Sequence, residues 1–218
     1  METYTLHCII CIAFLIGMIY IVSKYVPVIE QLTNNSRIIL IGDSILNNSN
    51  YVQKGETVSD YIKLKTNNVS NFAADEATIA DTYQQLENLN QSLNNSNTFI
   101  FVSVGGNNIL NSKAYLKPTA TYDLFQQYSQ LLHSIKTRLP NAQLFVLNLY
   151  YPLNSKYKPF YLTIDQWNQL IKDNEKIGYK IIQTNKLLES NDDFIYDIEP
   201  SAKGAKIMAD SILRNSGY

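Results

Sequence analysis

The chain reads Arg-Ile-Ile-Leu-Ile-Gly-Asp-Ser at residues 37–44. After Arg37 the run is continuously apolar and rich in β-branched residues, which is typical of a strand buried on both faces of a parallel sheet. This strand runs directly into a polar turn formed by Gly42, Asp43 and Ser44. Ligands of open parallel α/β sheets bind at the carboxyl ends of the strands. The stretch therefore predicts a parallel sheet with a functional site at the end of this strand.

Similar patterns recur along the rest of the chain. Apolar runs predict four further strands, at residues 69–72, 98–104, 143–148 and 179–183. Apolar residues three and four apart predict helices at residues 77–93, 122–139, 163–176 and 200–213, the last beginning with a proline suited to a first helical turn. Strands that alternate with helices form right-handed βαβ units. We therefore expect an α/β fold in which helices cover both faces of a five-stranded parallel sheet.

The composition is that of an ordinary globular protein. The chain has 218 residues, of which 45% are hydrophobic and 17% charged, and its formal net charge is −1. This length suits one domain with a short appendage. A nearly neutral chain has no field that would attract nucleic acid. We therefore expect no nucleic-acid partner, and the sequence leaves the oligomeric state unknown.

The appendage is the N-terminal segment, the most hydrophobic part of the chain. Residues 6–22 carry no charge, and with Ser23 the run approaches the roughly 20 residues that cross a bilayer. A cleaved signal peptide is the alternative, but no positively charged region precedes the run and no small-x-small cleavage site follows it. We therefore expect residues 1–36 to be a transmembrane anchor and linker and residues 37–218 to be the domain.

The orientation of this single-pass anchor stays open. Lys24 and Arg37 follow residues 6–23 while Glu2 precedes them, which favours a cytoplasmic domain under the positive-inside rule. Several Asn-x-Ser sequons favour a lumenal domain instead, although they arise readily by chance in an Asn-rich chain. The sequence predicts a membrane location without assigning the side.

Cys8 and Cys11, the two cysteines of the chain, lie inside the hydrophobic run, one helical turn apart. A redox or zinc pair needs polar surroundings and further ligands. We therefore interpret both as small apolar side chains in a membrane helix. No metal cluster or phosphate-binding loop is recognisable, so we expect no metal and no cofactor.

Three polar motifs lie where the predicted sheet meets its loops. Residues 42–44 follow the first strand, Gly-Gly-Asn-Asn at 105–108 follows the third, and Asp-Ile-Glu-Pro-Ser at 197–201 precedes the last helix. They supply a serine, a side-chain amide and carboxylates. These are the parts that acyl transfer needs: a nucleophile, an oxyanion stabiliser and a base.

Together these motifs resemble the SGNH (GDSL) hydrolase family over residues 37–216, nearly the whole predicted domain. The resemblance implies a three-layer α/β/α sandwich of the flavodoxin-like kind, with a five-stranded parallel sheet in the order 2-1-3-4-5. It also places the chain among esterases, lipases, acyltransferases and carbohydrate deacetylases. Residues 41–44, Ile-Gly-Asp-Ser, match the first family block closely. The resemblance makes Ser44 the candidate nucleophile, with its own backbone N–H in the oxyanion hole. For Asp43 we prefer a structural role in shaping the turn.

The second and third family blocks are matched less closely. Residues 71–78 resemble the second block, but Glu76 stands where the family has its oxyanion-hole glycine. Its backbone N–H remains available, while the side chain adds a charge and lacks the φ freedom of glycine. Asn107 of the third block is the implied second oxyanion donor, and Asn108 stands where Asp is common.

The fourth block departs most. The family pattern D-x-x-H-P is replaced by Tyr-Asp-Ile-Glu-Pro at residues 196–200, so Glu199 occupies the histidine position and Asp197 is one residue out of register with the usual aspartate. Both are therefore candidate catalytic residues, with Glu199 as the base. His7 lies in the hydrophobic run and His133 in a predicted helix, so neither replaces the missing base. The alternative is that Asp197 and Glu199 merely complement the dipole of the following helix.

Two functions of different classes follow. The first is a membrane-anchored esterase or acyl hydrolase acting on a small-molecule ester, with Glu199 in place of the histidine base. The second is a catalytically impaired protein of the same fold that binds an acyl or glycan ligand, or a protein partner. The loops around the predicted site carry no recognisable specificity motif.

Overall fold

The computed structural model describes residues 14–18, 20, 36–112 and 118–218. It divides into the units Met1–Ser36 and Arg37–Tyr218. In the first unit, residues 14–18 and 20 are helical and their side chains are exposed. Across the described residues, no helix is both long and apolar enough to cross a membrane. Most of the predicted span, residues 6–23, lies outside the described residues, so the anchor stays a prediction.

Five parallel strands form the central sheet, in the order β2-β1-β3-β4-β5. Their bounds are β1 Arg37–Gly42, β2 Val69–Asn71, β3 Thr98–Ser103, β4 Gln143–Leu147 and β5 Tyr179–Ile182. The predicted strands, their order and the parallel sheet are confirmed. Because β1 and β3 are neighbours at the centre, the turns at their carboxyl ends lie side by side.

Helices cover both faces of this sheet. They are α1 Val58–Lys63, α2 Ile79–Gln85, α3 Gly106–Ser112, α4 Pro118–Arg138, α5 Tyr161–Asp173 and α6 Ala202–Asn215. Alternate residues of β1 serve two cores: Ile39 and Ile41 pack with α2, α4 and α5, whereas Ile38 and Leu40 pack with α1 and α6. Each fully buried side chain of this kind contributes about 1.5–3 kcal/mol. This two-sided burial explains why β1 is apolar throughout, and the three-layer sandwich is confirmed.

The helix predicted at residues 77–93 is shorter than expected. It ends at Gln85 and gives way to two 3-10 turns, Leu86–Asn88 and Gln91–Leu93. The side chain of Asn90 accepts a hydrogen bond from the backbone of Ser92 and caps the second turn. Asparagine competes for backbone hydrogen bonds in this way, so the Asn-rich segment breaks a pattern that its apolar spacing alone would continue.

The last helix also begins later than predicted. Pro200 is not its first residue, because Ser201 is the N-cap and its hydroxyl accepts from the backbone of Gly204. Pro200 instead belongs to a small antiparallel hairpin between β6, Phe194–Ile195, and β7, Glu199–Pro200. The prediction was wrong in detail because a serine cap outcompetes a proline start one residue earlier. The hairpin matters because it carries Glu199.

Candidate active site

The nucleophile turn, which carries the candidate nucleophile Ser44, is built by Gly42. Its φ is +131°, and a Cβ at this position would lie 1.7 Å from the carbonyl oxygen of Ser103 in the neighbouring strand. Only glycine allows this close approach. The Gly42 N–H donates to Gln85 Oε1 at 2.7 Å, and Gln85 Nε2 donates to the Gly42 carbonyl at 2.8 Å. The turn is therefore held from both sides, and Ser44 emerges from it only 5% exposed.

Ser44 and Glu199 meet although 155 residues separate them in the sequence. The Ser44 hydroxyl donates a hydrogen bond to Glu199 Oε1 at 3.3 Å. Both side chains line one cleft at the carboxyl edge of the sheet, together with Asn107. The expected convergence of these three residues is what the structure shows, and a hydrogen-bonded nucleophile and base is the arrangement that nucleophilic catalysis requires.

Glu199 has the basicity of a group that titrates near neutrality. Burial raises its pKa from 4.5 to about 7 against the opposing effect of the Ser44 hydrogen bond, and the charges of Asp75 and Glu76 raise it further. Its second oxygen, Oε2, is buried and makes no hydrogen bond within the described residues. Glu199 is therefore more basic than a surface glutamate and faces Ser44 with one oxygen.

Asp43 is buried beside Ser44, at 2% exposure. Its Oδ1 accepts from the Ile45 N–H at 3.2 Å and from the Ser103 hydroxyl at 3.3 Å. The expected structural role in the turn agrees with these contacts. Burial raises its pKa to about 8 against the backbone hydrogen bond from Ile45, with a further rise from the charge of Glu199.

Asn107 lies at the cleft, and its side-chain amide already makes a hydrogen bond within the protein. One N–H of its amide donates to the Ala77 carbonyl at 3.1 Å, while Asn108 Oδ1 accepts from the Ile79 N–H at 2.9 Å. A side-chain amide has two N–H donors. The bond to Ala77 therefore fixes Asn107 against the second-block loop and leaves one donor for an oxyanion.

Glu76 adopts the backbone conformation that a glycine would favour. Its φ is +56° and its side chain is exposed. The loop is tied to the nucleophile turn, since the Ala74 N–H donates to the Gly42 carbonyl at 2.9 Å. A left-handed conformation costs a residue other than glycine about 1–2 kcal/mol. The loop therefore holds Glu76 in a left-handed conformation at the cost of strain, and the side chain adds a charge.

Asp197 is paired with a lysine on the surface of the domain. Its Oδ2 forms an ion pair with Lys156 Nζ at 2.6 Å, and both side chains are largely solvent-accessible. It lies in the hairpin turn, where Tyr196 and Asp197 both have positive φ, 50° and 74°. This contact gives no support to Asp197 as the residue that orients the base, and its catalytic role stays an untested prediction.

The cleft has a polar floor and apolar walls. The space within it that is open to a water-sized molecule is about 60 Å³. Its apolar walls include Ile109, Leu110, Leu149, Tyr157, Phe160 and Ile164. Such a shape suits the hydrocarbon part of a ligand, with the polar group at Ser44. In the described part of the chain, no three His, Cys, Asp or Glu side chains are grouped as metal ligands would be.

Sequence comparison assigns the family. Residues 38–212 match the family described as GDSL-like Lipase/Acylhydrolase. The chain belongs to this family. Its members hydrolyse esters, which supports ester hydrolysis as the activity of the chain. No curated protein gives a significant match.

Solved structures with the same fold include three with informative names. A lipolytic protein of the G-D-S-L family from Veillonella parvula has 18% identity and a TM-score of 0.68, with 82% of this chain and 97% of that chain covered. An acetylxylan esterase from Geobacillus stearothermophilus has 17% identity and a TM-score of 0.57, covering 84% and 94%. Phospholipase A1 from Streptomyces albidoflavus has 16% identity and a TM-score of 0.58, covering 83% and 99%. At such low sequence identities, the similarity shows a shared fold and nothing more.

Sequence reasoning missed several contacts that build the site. Gln85 clamps Gly42, and Tyr51 donates from its hydroxyl to Asp75 at 2.6 Å in the loop that carries Glu76. The Tyr150 hydroxyl donates to the Ile198 carbonyl and so holds the chain next to Glu199. None of these contacts has a local signal, because each joins segments far apart in the sequence.

Proposed function

We propose that this protein is a membrane-tethered serine ester hydrolase in which Ser44 is the nucleophile and Glu199 the general base. The observation that carries the proposal is the hydrogen bond of 3.3 Å from Ser44 to a glutamate whose pKa burial raises to about 7. A carboxyl of that pKa is ionised over much of the neutral range and is still basic enough to accept a proton.

The proposed reaction follows acyl-enzyme chemistry. Ser44 Oγ bonds to the ester carbonyl carbon while its proton moves to Glu199. The backbone N–H groups of Ser44 and Glu76 and the free N–H of Asn107 donate to the oxyanion. The bond to the alcohol then breaks, and the alcohol leaves with the proton from Glu199. Water repeats these steps on the acyl-enzyme and releases the acid.

A covalent probe tests this assignment. A fluorophosphonate should label the wild type at Ser44, and Ser44→Ala should abolish both labelling and hydrolysis of an activated ester. Ser96→Ala is the control, since this serine is exposed to solvent. Labelling that persists in Ser44→Ala would exclude Ser44 as the nucleophile.

The apolar cleft supports esters of apolar acids as substrates. Each buried CH₂ contributes about 0.8 kcal/mol, so kcat/KM should rise about fourfold per CH₂ until the cleft is full. Leu110→Trp, in the wall, should remove this gain and leave acetyl ester hydrolysis unchanged. Leu162→Trp, at a position 78% exposed, should change neither. If kcat/KM does not depend on the length of the acyl group, the cleft is excluded as the acyl site.

A second candidate function is ligand binding without turnover. It is favoured by the exposed carboxylate of Glu76 at the oxyanion hole and by the Asn107 bond to Ala77. A charge of the same sign opposes a developing oxyanion. Under this alternative no ester would be hydrolysed above the Ser44→Ala background, and no probe adduct would form.

The proposed membrane tether is the N-terminal segment. Residues 14–18 and 20 are helical, and large apolar side chains among them are exposed, with Phe14 at 72% and Leu15 at 61%. The sheet and both apolar cores lie within Arg37–Tyr218. The full chain should therefore sediment with membranes, and a chain that lacks residues 1–35 should be soluble and folded. Aggregation of the shortened chain would argue that the segment belongs to the domain.

A further inference from the structure

The cleft holds a second carboxyl group that the proposed reaction does not use. Asp43 lies immediately before Ser44 and lines the same cleft as Glu199. The groups that donate to its carboxylate are all neutral: the Ile45 N–H, the Ser103 hydroxyl and the backbone N–H of Asp43 itself. The ion pairs of the described residues involve neither Asp43 nor Glu199. An ionised carboxylate at 2% exposure would therefore have no cation to compensate for its lost hydration.

The surroundings of both carboxyls are acidic or neutral. Asp43 interacts electrostatically with Glu199, with Tyr150 after β4 and with Tyr128 on α4. The groups that act on Glu199 are the Ser44 hydroxyl and the carboxylates of Asp75 and Glu76, and Tyr51 and Tyr150 also interact with it. His133 on α4 is exposed to solvent. Two carboxyls that share such a site cannot easily both be charged.

The two carboxyls differ in access to stabilising contacts. Glu199 is half-buried and receives the Ser44 hydrogen bond, whereas Asp43 is fully buried and held by hydrogen bonds from neutral groups. Ionisation of Glu199 is therefore the less costly of the two. The pKa values follow the same order, about 7 for Glu199 and about 8 for Asp43.

We propose that Asp43 is held as a neutral carboxylic acid and acts as a positioning residue that keeps the single negative charge of the pair on Glu199. This inference rests on the proposed role of Glu199 as the base. The proton on Asp43 lets Glu199 ionise and accept the Ser44 proton. Loss of that proton would put a second negative charge beside the oxyanion and slow the reaction.

The pH profile of kcat/KM for the full chain on an activated ester tests this. The wild type should show a rise as Glu199 ionises and a fall as Asp43 loses its proton. Asp43→Asn, which mimics the neutral acid and keeps an acceptor for Ile45 and Ser103, should keep the rise at the same pH and lose the fall. Asp75→Asn, which removes a charge that raises the pKa of Glu199, should move the rise to lower pH. If the rise in the kcat/KM profile of Asp43→Asn moved to lower pH, as is expected for Asp75→Asn, the proposal would be overturned.

Infrared spectroscopy tests the protonation directly and needs no turnover. In the full wild-type chain carrying ¹³C-labelled aspartate carboxyls, a neutral-carboxyl band that moves with the label should be present at neutral pH and absent from Asp43→Asn. Absence of that band from the labelled wild type would overturn the proposal even if the esterase assignment stands. Its presence in a chain that hydrolyses no ester would instead overturn the proposed function and leave the state of Asp43 established.

Discussion

Glu199 shows how a residue that is weakly basic in water becomes a candidate base through burial. A surface glutamate would be almost fully ionised at neutral pH and a poor proton acceptor, whereas Glu199 has a pKa of about 7 because burial disfavours its charge. Imidazole has an ordinary pKa of about 6.5. Burial thus gives Glu199 a basicity close to that of an imidazole in water.

The first prediction is that Glu199→Gln lowers kcat on an activated ester by about 10²–10⁴-fold, the usual contribution of a general base. The amide cannot accept the Ser44 proton, but its shape is nearly the same. Thermal unfolding should therefore show an intact fold. Hydrolysis that requires Ser44 yet is unchanged in Glu199→Gln would move the base role to another carboxylate of the cleft.

Glu76 supports a second prediction, in which two variants separate charge from backbone strain. Glu76→Gln removes the carboxylate and keeps the left-handed residue, with φ at +56°, whereas Glu76→Gly removes both. Both should lower the pKa of Glu199, because the Glu76 charge raises it, and so shift the rising limb of kcat/KM to lower pH. Only Glu76→Gly should gain stability in urea unfolding, by up to about 1 kcal/mol. Equal stability of the two variants would show that the strain is absent.

At the scale of elements, the site depends on how β1 is joined to α2. Gln85, at the end of α2, makes both of its amide hydrogen bonds to the backbone of Gly42, at the end of β1. The Gly42 carbonyl also accepts from Ala74, but the described partner of its N–H is Gln85. One side chain thus ties a helix to the turn that presents Ser44.

The third prediction is that Gln85→Leu destabilises the fold by about 1–3 kcal/mol, the cost of a buried N–H without a partner. Hydrolysis should fall as well, because the nucleophile turn loses its clamp. Gln84→Leu, at the exposed neighbouring position, is the matched control and should change neither property. Urea unfolding and ester kinetics measure the two effects. If Gln85→Leu and Gln84→Leu had the same free energy of unfolding, the proposed role of Gln85 in holding Gly42 would be contradicted.

For the whole molecule, the buried carboxyls make stability depend on pH in an unusual direction. Asp43 and Glu199 have folded-state pKa values of about 8 and about 7, above the usual values near 4. Between the unfolded-state values near 4 and the folded-state values of about 7 and about 8, the folded chain binds more protons than the unfolded chain. The free energy of unfolding therefore falls as the pH rises through this window. The surface carboxyls with lowered pKa, such as Asp60 and Asp81, act at lower pH.

The fourth prediction is that the free energy of unfolding of the full chain decreases from about pH 5 to about pH 8. The double variant Asp43→Asn, Glu199→Gln carries neither buried carboxyl and should show a flatter dependence over that range. Urea unfolding at a series of pH values measures both. A wild type whose stability rises with pH across this window would contradict the protonation of these groups.

Local patterns in the sequence were sufficient for the sheet and for part of the site. Burial on both faces requires an apolar strand, so residues 37–41 predicted β1 correctly, and strands alternating with helices predicted the parallel sheet. Ser44 and Asn107 follow β1 and β3, so the sequence placed them at one edge, because parallel strands end on the same side. Glu199 lies in the β6–β7 hairpin, and its place at that edge followed from the family resemblance. Propensity failed at element ends, where Asn90 and Ser201 cap turns and helices through contacts that periodicity does not report.

Tertiary structure decided the rest. The ion pair of Asp197 with Lys156, the clamp of Gln85 on Gly42 and the raised pKa of Asp43 each depend on atoms brought together from distant segments. A pKa follows from burial and neighbouring charges, and a contact follows from packing, so neither is written in a local pattern. The sequence alone determined which residues reach the edge of the sheet, whereas packing determined which of them touch and which carry the charge.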